Sequence, residues 1–214
     1  MKRRLRTGDH LRWRAGHPAS LAVLFGAIAA FFVARRVAAY GDFASKPLWA
    51  AETAVFLVVL LAYLTRVDPR ERAAGVREVL VPIVGALLPF ALLLTAPRAD
   101  HAPAAFWAMT AGTALTVWGI ATLRRSFSIA VEARELVTGG PYRFVRHPVY
   151  AGEIVTALAV AAWRWSWTNA MIAALFVAIQ LVRARAEEAK LARALPGYAA
   201  FARGAPWLWR APDG

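Results

Sequence analysis

The sequence predicts an all-α integral membrane protein, a polytopic helix bundle with about six transmembrane helices. Hydrophobic residues make up 59% of the 214 residues, and the mean hydropathy is +0.46. These residues are arranged in long runs near the ~20 residues that cross a ~30 Å hydrocarbon layer. Basic residues concentrate between alternate runs, as in multi-spanning proteins. We interpret the whole chain, residues 1–214, as a single membrane domain.

Six apolar runs are the predicted spans. They cover residues 19–33, 47–65, 79–96, 103–123, 149–163 and 168–182. The basic segment 1–17 precedes the first run, which favours a juxtamembrane arm attracted to anionic lipid over a nucleic-acid-binding arm. A cleaved signal peptide has the same order of charge and apolar residues, but further apolar runs follow, so we expect no cleavage. Pro82 and Pro89 predict a kink in the third run.

The distribution of loop charge predicts the orientation of the bundle. Of the 26 basic residues, 21 lie in four alternate segments, residues 1–17, 66–77, 124–146 and 183–214. The positive-inside rule places these segments, and therefore both termini, in the cytoplasm. In a bacterium the membrane would be the cell inner membrane. The two segments that carry candidate chemistry, described next, then face the same compartment.

Several classes of site are excluded by the residues that the chain lacks. It has no cysteine, which excludes disulfides, thiolate nucleophiles and cysteine-ligated zinc or iron–sulfur sites. The sequence also has no GxGxxG, Walker, GxSxG or HExxH pattern. We therefore expect no metal site and no nucleic-acid partner. The oligomeric state stays open.

The first candidate segment is residues 139–152, GGPYRFVRHPVYAG. The two glycines and Pro141 predict a turn, and Pro148 favours the first turn of a new helix. The free N–H groups of a helix start, beside Arg146 and His147, suit a carboxylate or phosphate. A basic loop that only connects two helices is the alternative.

The second candidate segment carries the adjacent acids Glu187 and Glu188. Taken alone, they are typical of a solvated helical face, since Arg183 lies four residues before Glu187. Glu153 is a third acid of interest, because it lies within a predicted span and three residues after Tyr150, on the same helical face. Two roles stay open for Glu153, lining of a pocket and a simple hydrogen bond between helices.

The longer pattern resembles a known family. The residues that carry it are Leu136-Val137-Thr138, Gly140-Pro141-Tyr142, Arg146-His147-Pro148-Val149-Tyr150 and Gly152, then Glu187-Glu188, Leu191, Leu195, Gly197-Tyr198 and Phe201. This run, over residues 115–206, resembles the isoprenylcysteine carboxyl methyltransferase family and the related membrane phospholipid methyltransferases. The tail departs from the family, which commonly has a Phe-Gly pair before the tyrosine and a second tyrosine in place of Phe201.

The resemblance implies a membrane enzyme that uses S-adenosylmethionine. It implies a cytosolic cofactor site formed by the last inter-helix loop and the C-terminal segment, with Leu136 and Val137 bordering the adenine. The predicted cofactor-binding residues are Leu136, Val137, Tyr142, Arg146, His147, Pro148, Tyr150, Glu187 and Glu188. The predicted catalytic residues are Arg146, Arg185 and Glu153, with Arg185 or Arg146 orienting the acceptor.

The acceptor is expected to be a lipophilic small molecule or a lipidated group that enters from the bilayer. Isoprenylcysteine carboxyl O-methylation is the reaction that the resemblance favours, and amine N-methylation of a phospholipid or S-methylation of a small thiol are the alternatives. Two other classes stay open, an NADPH-dependent membrane reductase and a non-catalytic lipid-binding protein.

Overall fold

The computed structural model describes residues 27, 30–34, 37–38, 40–42, 46–65, 70, 73, 75–94 and 103–204. The predicted basic arm, residues 1–17, and most of the first predicted span lie outside these residues. Six α-helices are labelled here: α1 Lys46–Thr65, α2 Val76–Leu87, α3 Pro103–Leu123, α4 Pro148–Trp163, α5 Trp167–Ala194 and α6 Tyr198–Gly204. Short 3-10 helices cover Tyr40–Asp42, Leu88–Leu94, Arg124–Ser126 and Gly140–Arg143. No β-strand occurs in the described ranges, which confirms the all-α prediction.

Three helical stretches are long and apolar enough to cross a membrane, judged by length and composition. They are Val76–Leu94, Pro103–Ser126 and Trp167–Ala194, and Pro148–Trp163 is a shorter apolar helix. In the bundle, α3 packs against α1 and α4, and α5 packs against α4 and α2. The count of six spans stays a prediction.

Small residues bring α3 and α4 close together. A Cβ atom on Gly152 would lie 2.4 Å from the carbonyl oxygen of Gly112 and 2.5 Å from the Thr116 hydroxyl. The Thr116 hydroxyl donates to the Gly112 carbonyl at 3.1 Å. Because lipid offers no hydrophobic drive for association, membrane helices gain from such close backbone approach. The α3–α4 contact therefore holds α4 firmly in place.

The two prolines of the third predicted span act differently. The helix stays α-helical through Pro82 and changes to a 3-10 helix at Leu88, next to Pro89. Neither proline can donate the N–H group that an α-helix needs. At Pro82 this frees the Glu78 carbonyl, which accepts instead the N–H of Val131 at 3.1 Å. The proline defect thus becomes a docking point for the loop that follows α3.

Helix α5 extends well beyond the span predicted at residues 168–182. Ser166 caps its start by accepting the Asn169 N–H at 3.0 Å. The apolar pattern ends at Arg183, but alanine, arginine, lysine and glutamate all favour helix, and the helix continues to Ala194. This extension carries both candidate acids, Glu187 and Glu188, away from the apolar part of the bundle.

Candidate functional site

A cavity of about 250 Å³ lies at the end of the bundle where the α3–α4 connection and the extension of α5 meet. One wall is residues 127–139, here called the cavity loop. The lining is mixed in polarity. Its apolar part includes Val55, Val59, Ile120, Leu123, Phe127, Ile129, Leu136, Val137 and Val149. Its polar part includes Glu132, Arg134, Tyr142, Arg146, His147, Tyr150, Glu153, Arg183, Glu187 and Tyr198.

The turn before α4 brings several predicted residues to this cavity. Gly140 has φ +56°, a left-handed conformation that glycine adopts without strain. A 3-10 turn then buries Tyr142, and the N–H of Ala151 donates to the His147 carbonyl at 3.0 Å as α4 begins. Pro148 is the first residue of α4 and is buried. The cavity lining contains Tyr142 but not Pro148, which only shapes the helix start.

The two adjacent acids face different partners. Glu188 Oε1 lies 3.1 Å from His147 Nε2 and 3.1 Å from Arg146 Nη1. Glu187 instead accepts a hydrogen bond from the Tyr150 hydroxyl. The His147 ring stacks on the Tyr150 ring with centroids 5.6 Å apart. The structure therefore brings the Arg146-His147 pair and the acidic pair, 41 residues apart in sequence, into direct contact.

A hydrogen-bonded chain links α4, α5 and the cavity loop. Glu153 accepts from Gln180 Nε2, and Gln180 Oε1 accepts from Arg183 Nη1 at 2.8 Å. Arg183 Nη2 donates to the Ile129 carbonyl at 3.3 Å, and the guanidinium lies 4.7 Å from the centre of the Tyr150 ring. Glu153 thus fills both roles that were open, since it lines the cavity and joins two helices.

Arg183, and not Arg185, lies on the cavity. Arg185 is solvent-exposed and is not part of the lining, whereas Arg183 is buried. Residues two apart on an α-helix point about 200° away from each other, so only one of the two can face the site. The spacing of Arg183 to Glu187 predicted an ion pair between them. Arg183 instead donates hydrogen bonds to Gln180 and to the Ile129 carbonyl.

Sequence reasoning missed the buried charges that hold the cavity loop. The Lys190 side chain is 1% exposed and donates to Glu78 Oε2 at 2.6 Å and to the Val131 carbonyl at 3.0 Å. Arg134 is 3% exposed and pairs with Glu132 at 2.7 Å. The available signal was short, the alternation of aliphatic and charged residues over residues 131–134, which is typical of an extended segment.

Two phenols at the cavity stay protonated at neutral pH. Burial raises the pKa of Tyr142 well above its ordinary value of 10.0, and the nearby Glu187 charge adds to the shift. Burial also raises the pKa of Tyr198, with a further contribution from the charge of Glu188. Both hydroxyls can therefore donate hydrogen bonds to a ligand across the physiological range.

A comparison with known families agrees with this geometry. The model of the Isoprenylcysteine carboxyl methyltransferase (ICMT) family matches residues 105–193. Residues 105–193 of the chain are therefore similar to the ICMT family. The resemblance predicted from the sequence is thereby confirmed, and the matched residues include α3, the cavity loop, α4 and α5 up to Arg193. Comparison with curated proteins and with solved structures gives no significant match.

The ICMT-family match and the apolar helices together support a methyltransferase that is integral to a membrane, of the isoprenylcysteine type. The matched range contains the Arg146-His147 turn and both acids, Glu187 and Glu188. The roles of individual residues within the site stay predictions.

Proposed function

We propose that the protein transfers a methyl group from S-adenosylmethionine to an acidic group on a lipophilic acceptor, as in isoprenylcysteine carboxyl O-methylation. One observation carries the proposal: Arg146, His147 and Glu187 line one cavity, and Glu188, which is not part of the lining, contacts Arg146 and His147. The ICMT-family match adds the reaction class. The site would open to the cytoplasm for the cofactor and to the bilayer for the acceptor.

The residues present fit the chemical groups of S-adenosylmethionine. Its carboxylate suits Arg146 and His147 at the start of α4, where the helix dipole favours an anion. Its ammonium, sulfonium and ribose suit Glu187 and the faces of Tyr142 and Tyr150. Its adenine suits the aliphatic wall that includes Leu136 and Val137, as the family resemblance implies.

The size of the cavity limits what it can hold. At about 250 Å³ it lies near the lower bound of small-molecule sites, which span roughly 300–1,000 Å³. A long apolar chain on the acceptor would therefore lie outside the cavity, in contact with lipid. Only the acceptor's reacting group would enter, which agrees with a reaction at the membrane–cytosol boundary.

The chain's residues would act by alignment and by exclusion of water. When bound, S-adenosylmethionine supplies an electrophilic methyl group. A carboxylate acceptor is already ionised at neutral pH and needs no general base. Arg146, held by Glu188, and Arg183, held by Gln180 and Ile129, would provide fixed cationic contacts for such an anion.

An amine acceptor is the second candidate, since related phospholipid methyltransferases share the Arg146-His147-Pro148 pattern. It would need a base that removes a proton from an ammonium group. Four acids line the cavity, the solvent-exposed Glu135 and three that already accept hydrogen bonds within the protein. These three are Glu132, from Arg134 and Ser128, Glu153, from Gln180, and Glu187, from Tyr150. Because Glu187 is also assigned to the cofactor, and Glu132 and Glu153 are bonded within the protein, an anionic acceptor is favoured over an amine.

The test is a binding titration followed by an activity comparison. Purified protein is titrated separately with S-adenosylmethionine and NADPH, and binding of the first alone is expected. Radiolabelled methyl transfer is then compared for an isoprenylcysteine analogue, a phosphatidylethanolamine and a small lipophilic thiol. Binding of NADPH alone would indicate a reductase, and binding of neither a lipid-binding protein. Methylation of the amine alone would replace the carboxyl mechanism.

The orientation with both termini and the cavity in the cytoplasm is part of this proposal. The chain has no cysteine, so single cysteines can be introduced and labelled. Gly139 is exposed with open space around its Cα, and Trp167, at the opposite end of α4 and α5, is 79% exposed. With an impermeant thiol reagent, Trp167→Cys should react in intact cells and Gly139→Cys only after permeabilisation. The reverse pattern would reject the orientation.

A further inference from the structure

Arg134 is a buried cation that the proposed mechanism does not use. Its side chain is 3% exposed and lines the cavity. Its Nη2 atom pairs with Glu132, whereas its Nε and Nη1 atoms have no hydrogen-bond partner within the described part of the chain. Buried donors left unsatisfied are costly, so native proteins pair almost all of them. The two free nitrogens indicate a ligand atom as the missing partner.

The guanidinium is held in place before any ligand arrives. Glu132 Oε2 accepts from Arg134 Nη2 at 2.7 Å and from the Ser128 hydroxyl at 3.0 Å. The backbone on the N-terminal side of Arg134 is fixed too, since the Ala133 carbonyl accepts the Arg70 N–H at 2.8 Å. A donor that is already oriented loses little conformational freedom on binding, which is what a specific binding group requires.

Arg134 is separate from the other arginines of the cavity. Arg146 contacts Glu188 on α5, and both Nη atoms of Arg183 donate to Gln180 and the Ile129 carbonyl. Arg134 belongs to the cavity loop, lines the cavity and, within the described residues, forms its ion pair with Glu132 of the same loop. The cofactor fitted above has one carboxylate and two cationic groups, so it needs one anion-binding point, which the Arg146-His147 pair supplies. A second such point suits an anion from a different molecule.

We propose that Arg134 is a second oxyanion-binding point of the cavity and binds the carboxylate of the lipophilic acceptor. This rests on the proposed function for the identity of the ligand, but not for the existence of the site. Several N–H groups of one guanidinium can bind the oxygens of one carboxylate, whereas a hydroxyl engages only one of them. Arg134 would thus select acidic acceptors over neutral or cationic ones. The carboxylate of the cofactor is the other source of the same chemistry.

Direct binding tests the site without any turnover. Tryptophan fluorescence of the full chain in detergent is titrated with dodecanoate, with dodecanol, with S-adenosylhomocysteine and with methylthioadenosine, which lacks the amino-acid part. Wild type should prefer dodecanoate to dodecanol. Arg134→Met should weaken the binding of dodecanoate about ten- to a hundredfold and leave the affinities for dodecanol and S-adenosylhomocysteine unchanged. The exposed Arg203 provides the matched control, and Arg203→Met should change nothing.

The other outcomes are equally decisive. If Arg134→Met weakens S-adenosylhomocysteine but not methylthioadenosine, the bound oxyanion is the cofactor's carboxylate. Equal weakening of dodecanoate and dodecanol, or no change with any probe, overturns the proposal. Should Arg134→Met fail to fold, Arg134→Lys is the second variant. It keeps the charge but loses the planar group that binds two carboxylate oxygens, so it should bind dodecanoate more weakly than wild type and dodecanol equally. Dodecanoate binding equal to that of wild type would contradict the site.

These results separate the site from the proposed function. If wild type binds neither S-adenosylhomocysteine nor S-adenosylmethionine, the methyltransferase proposal fails. The comparison of dodecanoate with dodecanol in Arg134→Met still decides whether Arg134 binds an oxyanion.

Discussion

The α3–α4 interface and the cavity end of the bundle are packed with opposite kinds of residue. At the interface, glycines and threonines bring two backbones together, and the polar atoms bond within or between the two helices. At the cavity end, arginine and lysine are buried instead, and Arg146, Arg183 and Lys190 each contact a partner on another element. The first region has no space for a ligand, whereas in the second two nitrogens of Arg134 have no hydrogen-bond partner among the described residues.

The difference shows how stability and binding are divided in this fold. Close packing without charge holds α4 against α3, so the start of α4 can present Arg146 and His147 in a fixed direction. Buried charges are expensive to desolvate and contribute little net stability. Their presence at one end therefore indicates binding, and mutations in the two regions should have separable effects.

The largest expected effect is a loss of stability at the interface. In Gly152→Val the new Cβ atom would lie 2.4 Å from a backbone oxygen, which cannot rotate away. Overpacking of this kind costs about 3 kcal/mol or more of the free energy of unfolding. Gly139 has open space around it and an ordinary φ. Gly139→Val should therefore change the free energy of unfolding by less than about 0.5 kcal/mol. Thermal unfolding in detergent measures both, and equal melting temperatures would contradict the packing described here.

The next effect concerns cofactor affinity without loss of fold. His147→Ala and Glu188→Ala should each weaken S-adenosylmethionine binding about ten- to a hundredfold, since each removes a charge-assisted hydrogen bond of about 1.5–3 kcal/mol. The two side chains are 3.1 Å apart, so the double variant should lose less than the sum of the single losses. Calorimetric titration measures this. Unchanged dissociation constants in both single variants would reject the proposed cofactor site.

The smallest effect is a pH dependence of stability that arises at the cavity only. The pKa of Tyr142 is raised in the fold, so the unfolded chain loses this proton first as the pH rises. The contribution of Tyr142 to stability is therefore fully present below about pH 10 and is lost progressively above it. The melting temperature of Tyr142→Phe should fall less steeply than that of wild type between about pH 9.5 and 11, a range that contains the ordinary tyrosine pKa of about 10. An unchanged slope would mean that Tyr142 ionises alike in both states.

Much of this arrangement could be predicted from the sequence. The apolar runs at residues 47–65, 103–123 and 149–163 agree within a residue with α1, α3 and α4. Turn chemistry at Pro141 and Pro148 predicted the break before α4 and the position of His147. These features depend on local rules, which is why one chain without relatives was enough to find them.

The remainder depended on contacts between distant segments. Arg183 and Lys190 are indistinguishable in sequence from solvated residues on a helix, and only the cavity loop and α2 bury them. Arg134 and its partner Glu132 are two residues apart and meet only in an extended backbone, for which the short alternation over residues 131–134 was the signal. Arg185 was predicted in place of Arg183 because Arg183, four residues before Glu187, was expected to pair with that acid.

The N–H of Val131 donates to the Glu78 carbonyl, which Pro82 leaves free. This contact has a consequence for biogenesis. The cavity loop is synthesised after α2 but is completed only by Lys190, which lies near the end of the last long helix. A nascent chain that has inserted α1 to α4 still lacks Lys190, Glu187 and Glu188. Cofactor affinity should therefore be absent from every shorter translation intermediate and arise in one step, when α5 reaches its place. Retention on immobilised S-adenosylhomocysteine would then separate completely inserted molecules from arrested ones.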